Sequence, residues 1–75
     1  MNNATLGQIQ QTRTIWVAFG ESGVVGTIRK DSDGYTVTMA GAEASAGTYP
    51  TMDVAKSALY ARMRPGSDWP TFQEH

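Results

Sequence analysis

The tetrapeptide Asp31-Ser32-Asp33-Gly34 constrains this chain more than any other feature, because it lies between two segments of alternating polarity. Glycine after aspartate supplies the positive backbone dihedral that a tight turn needs, and the Asp31 side chain can bond back to the backbone. The flanking segments therefore read as the arms of a β-hairpin. In Tyr35–Met39, Tyr35, Val37 and Met39 face one way and Thr36 and Thr38 the other, the pattern of a half-buried strand with a solvated threonine face. In Val24–Lys30, Val24, Gly26 and Ile28 share one face, while Val25, Thr27 and Arg29 share a wetter one. Gly26 marks either a bulge or a place where a neighbour such as Trp16 crosses the strand.

A third strand precedes this hairpin, joined to it by Gly20-Glu21-Ser22-Gly23, which has the composition of a hairpin loop. Along Thr14–Phe19, Ile15, Val17 and Phe19 fall on one face and Thr14, Trp16 and Ala18 on the other. Residues 1–12 read as a polar arm in which Leu6 and Ile9 are the larger aliphatics. Residues 40–45 are small and irregular, forming either a loop or the approach to a short edge strand around Ala46–Tyr49 that Pro50 ends. Thr51 reads as a helix N-cap with Asp53 in the first turn, and the helix runs from Met52 to Met63 or Arg64, where Pro65-Gly66 stops it. Its apolar stripe is Ala55, Ala58, Leu59 and Arg62, widened by Met52, Val54 and Met63.

The expected fold class is α+β: an antiparallel meander of three to four strands packed on one C-terminal helix, with the Thr36/Thr38 face open to solvent. The expected organisation is an arm over 1–12, the sheet-and-helix domain over 13–66 and an aromatic tail over 67–75. Trp69 and Phe72 in the tail are costly to leave in water. Either they fold back onto the domain or they await a partner.

A 75-residue chain suits one domain, and such a domain buries only about 60% of the surface its unfolded chain exposes. There are no cysteines, so stability must come from apolar burial alone or from burial plus self-association. The lack of cysteine, together with a start that has neither a basic cluster nor a continuous apolar run, points to a cytoplasmic location. No segment approaches the ~18 apolar residues of a membrane span, so no membrane partner is expected. The formal net charge is −1. Arg13, Arg29 and Lys30 outweigh Glu21 in the first 30 residues, and acids outweigh bases in the rest, with no block of either sign. Nucleic-acid binding, which leans on a basic excess, is disfavoured by this balance.

The remaining motifs are weak. Gly20-x-x-Gly23-x-x-Gly26 departs from the dinucleotide fingerprint in spacing and leads into a strand. Asp31-Ser32-Asp33-Gly34 lacks the third ligand, the distal glutamate and the flanking helices of a calcium loop. The one histidine is His75 at the C-terminus, there is no thiol, and the serines have no histidine partner in reach. No enzyme activity, cofactor or metal is expected. Arg62, Arg64 and Lys56 form either a small basic patch, joined by Arg29 and Lys30, or a solvated helix end. On the presumed open face, Trp16 either stacks on a base or aromatic ligand or covers Gly26. The candidate binding surface is thus Trp16, Arg29, Lys30, Thr36 and Thr38, with Trp69 and Phe72 from the tail. The expected function is a non-enzymatic interaction or accessory module that binds a protein partner, or self-associates through its open face or an edge strand. The alternative is weak nucleic-acid binding through the open face.

At Gly47-Thr48-Tyr49-Pro50-Thr51-Met52-Asp53-Val54-Ala55-Lys56-Ser57-Ala58-Leu59 the chain resembles the strand-to-helix joint of the arm-binding domains of tyrosine integrases and of plant ethylene-response-factor domains. It is also similar to the joint of the small YegP-type proteins. The resemblance implies a three-stranded sheet with one helix and, in the first two families, DNA reading by the open sheet face. Here that face offers Thr36 and Thr38 where those families place Arg and Trp. From Trp16 to His75, with the ending Pro65-Gly66-Ser67-Asp68-Trp69-Pro70, the chain is also similar to short actinobacterial proteins, some described as methyltransferases. It has no glycine-rich strand-to-helix loop for such a cofactor, and it is too short for the usual cofactor fold.

Overall fold

The computed structural model describes residues 14–75, so the expected arm over 1–12 lies outside the described residues. The elements follow in the order β1 (Ile15–Gly20), β2 (Gly23–Asp31), β3 (Gly34–Met39), β4 (Gly47–Tyr49), α1 (Met52–Ala61) and β5 (Thr71–Glu74). The five strands of the described residues form one sheet, every neighbouring pair antiparallel, in the order β4-β3-β2-β1-β5. The class is α+β as expected, with one helix on one face, but the strand count exceeds the three to four expected. The additional strand is the tail. Residues 71–74 pair with β1 along its free edge, Phe72 opposite Ala18 and Gln73 opposite Val17. The boundary expected at 66/67 therefore falls inside the sheet-and-helix unit. Trp69 and Phe72 have folded back, the outcome that a domain short of core favours.

The two hairpins form where their turn residues place them. At the second, Asp31 pairs with Gly34 across Ser32-Asp33. The Asp31 Oδ1 accepts the Asp33 N–H at 2.9 Å, and Gly34 takes φ +133°. At the first, Gly20 pairs with Gly23 across Glu21-Ser22. The register shifts between Ala18/Phe19, where Ala18 pairs with Gly26 and Phe19 with Val24. Val25 is therefore the extra residue of a bulge. It packs against the core instead of sharing the wetter face of Thr27 and Arg29, as simple alternation would have it.

Thr51 caps α1 from extended backbone, its Oγ1 accepting the Val54 N–H at 3.2 Å. The helix ends at Ala61, earlier than the expected Met63 or Arg64. The N–H groups of Arg62 and Met63 instead donate to Leu59 and Tyr60, three residues back, tightening the last turn before Pro65. Ala55 and Leu59 are fully buried; Val54, expected on the stripe, is 44% exposed. The helix lies over β2, β3 and β4. The core is Ala18, Ile28, Val37, Ala55 and Leu59, with Trp16, Tyr35, Met39, Tyr49, Met63 and Phe72 packed around it. The contact that seats the helix is at Gly26: a Cβ built there would lie 3.3 Å from Leu59 Cδ1. Leu59, not Trp16, crosses this glycine.

Candidate functional site

The strand register decides which side chains share the face away from α1. Val17 pairs with Thr27 and Thr27 with Thr38; Ile15 pairs with Arg29, Arg29 with Thr36, and Thr36 with Thr48. These residues form two rows across the open face, with Phe19, Val24 and Thr71 in a third. The face divides along its length. Its β1 side is aliphatic and aromatic: Ile15, Val17, Phe19 and Val24. Its β3 and β4 side is threonine. Ile15 is 36% exposed and Val24 50%.

Four polar groups at one end of this face are bonded to one another. Thr36, the buried polar side chain of the sheet, lies 2.9 Å from the Thr48 hydroxyl and donates weakly to Asp31 Oδ2 at 3.5 Å. Arg29 Nε lies 3.7 Å from the same Asp31 oxygen. Arg29, Asp31, Thr36 and Thr48 thus form a lateral chain at the end of the face nearest the second turn. Exposed as it is, the ion pair contributes little to stability.

The seven expected surface residues are divided among three places. Arg29, Thr36 and Thr38 lie on the open face. Trp16, Lys30 and Phe72 lie on the helix side, which corrects the placement of Trp16. The Trp16 ring stands 6.0 Å from Tyr35, and Lys30 Nζ sits 4.9 Å over that same ring. Lys56 Nζ sits 5.1 Å over the Phe72 ring. Trp69, 53% exposed, packs against Tyr60 of α1 with ring centroids 5.0 Å apart and planes tilted by 42°. The Tyr60 hydroxyl donates to the Ser67 carbonyl at 2.7 Å and fastens the start of the tail. The presumed basic set of Trp16, Arg29 and Lys30 is therefore not one surface. Arg62 reaches the Ala46 carbonyl at 3.4 Å, so part of the presumed helix-end patch serves to hold a loop.

Alternation had identified Ile15, Val17 and Phe19 as one face, but as the larger apolar set they read as the core side. The register reverses this. Ala18 stands beside Gly26, and this pair of small residues makes the hollow that receives Leu59. That small-on-small pairing, which exists only once the strands are in register, marks the helix side of β1.

A cleft of about 740 Å³ opens at the other end, between the first hairpin and the segment after α1. Val25, Met39, Met63 and Trp69 line it, together with Glu21, Arg64 and Asp68. Among the described residues, no three His, Asp or Glu side chains stand together as a metal site, and no helix is long and apolar enough to cross a membrane. Comparison with family models, with curated proteins and with solved structures finds no match to this chain.

Proposed function

We propose that this domain is a non-enzymatic interaction module that engages its partner through the sheet face opposite α1. One observation carries the reading: Ile15, Val17, Phe19 and Val24 form a continuous apolar stripe on a face that, among the described residues, no element packs against. Contiguous apolar surface is what soluble domains present where another surface is to cover it. The threonine half adds flat contact area at Thr27, Thr38 and Thr48, while Thr36 is buried and bonded to Thr48.

Placing photoreactive benzoylphenylalanine at Thr38, and separately at Ser57 on the exposed side of α1, tests the reading. In cells that make the protein, position 38 is expected to give a defined adduct that Val17→Lys removes, and position 57 is expected to give none. Equal adducts from both positions, or none from position 38, would refute it.

A further inference from the structure

We infer that the surface covering the open face is a second copy of this chain, the two sheets stacking face to face about a two-fold axis. The inference rests on the open face being the interaction surface and names its occupant.

Charge is the first argument. The charged pair on the face, Arg29 and Asp31, is already matched within the molecule at 3.7 Å. The face is therefore close to neutral. It meets a copy of itself without like-charge repulsion, and it gives a strongly acidic or basic partner little to pair with.

The second argument is the size of the core. Its fully buried apolar side chains are Ala18, Ile28, Val37, Ala55 and Leu59, two of them alanines. Domains this small commonly make up a short core by association. Stacking two sheets about 10 Å apart would give each β1 stripe an opposing apolar layer.

The third argument concerns the edges. Both edge strands are short, β4 at 3 residues and β5 at 4, and each follows or precedes a proline, Pro50 or Pro70. Short edges blunted in this way are poor templates for strand addition. Self-association is therefore directed to the face. The face offers fewer side chains than the roughly 20–30 per partner of a standard interface, so the dimer should be reversible and depend on concentration.

Sedimentation equilibrium of the full chain from about 10 µM to about 1 mM tests this. The apparent mass should rise with concentration from 8.1 kDa towards twice that value. Val17→Lys should weaken association at least tenfold, and Ser57→Lys on the helix should leave it unchanged. Should Val17→Lys fail to fold by circular dichroism, Thr38→Lys, at a more tolerant position in the same row, carries the comparison. A wild-type chain that stays at 8.1 kDa throughout, or association that persists in a folded face variant, overturns the second copy. If the chain is monomeric while position 38 still crosslinks specifically to another protein, the module reading stands without the dimer. A monomer with no position-38 adduct removes both.

Discussion

Replacing Gly26 with alanine adds one methyl group at the point where the helix sits on the sheet. Its Cβ would fall 2.8 Å from the Thr38 carbonyl oxygen and 3.3 Å from both Leu59 Cδ1 and the Met39 Cα. Two of these neighbours are backbone atoms of β3. They can retreat only by loosening the β2–β3 pairing. Leu59 is fully buried in the core cluster. Overpacking of this kind costs about 1–3 kcal/mol, offset by roughly 0.5–1 kcal/mol because alanine loses less backbone entropy than glycine. The 2.8 Å approach to a backbone oxygen puts the cost in the upper part of that range, so the net loss is about 1–2 kcal/mol. In a domain of this size each kcal/mol moves Tm by about 4–8 °C, so Gly26→Ala should lower Tm by roughly 5–15 °C. Thermal melts followed by circular dichroism, with urea titrations to confirm an unchanged m-value, would measure it. Leu59→Val, itself destabilising in so buried a position, should cost less in the Gly26→Ala background than in the wild type, a coupling of about 0.5–1 kcal/mol in a double-mutant cycle. An unchanged or raised Tm, or additive single effects, would mean that Leu59 does not lie over Gly26 and that the helix is seated elsewhere.

Two further perturbations bear on the elements that define the two faces. Thr51→Ala removes the side-chain acceptor for the Val54 N–H and should cost about 1 kcal/mol; a Tm fall of several degrees in thermal melts is expected, and none would show that the cap is dispensable. Deleting residues 67–75 removes β5, uncovers the β1 edge and strips the Trp69 and Phe72 packing from the helix side. It should cost on the order of 3 kcal/mol or more, a large share of the stability of so small a domain. An unchanged melting curve would contradict a structural role for the tail.

The parts of the fold legible in the sequence are those set by local chemistry. Asp31 and Gly34 shape their turn by a side-chain bond and a positive φ, and both effects act within four residues. Thr51 starts the helix for an equally local reason, whereas the helix ends at Ala61, short of the stop that Pro65 alone would set. Alternation also separated Thr36 and Thr38 from Tyr35, Val37 and Met39 correctly. It could not say which set of β1 meets the helix. That depends on the register between strands, and on a bulge at Val25 that shifts the pairing by one residue. Trp16 was misplaced for that reason. The hollow formed by Ala18 and Gly26 is visible only once the two strands are aligned. The tail posed a different problem. Thr71–Glu74 is short and becomes a strand only because β1 offers a free edge, a tertiary circumstance that local pattern does not encode. The open-face stripe was thus present in the sequence as a set of residues, but its direction was not.

A dilution series of amide spectra of the full chain tests most directly which surface makes contact. Between about 1 mM and about 20 µM, a range that spans weak association, amide shifts should move along β1 and at Thr27 and Thr38. Those of Lys56, Ser57 and Tyr60 on α1 should stay fixed. Shifts confined to the helix or to the cleft around Trp69 would contradict the assignment of the open face as the surface this domain uses.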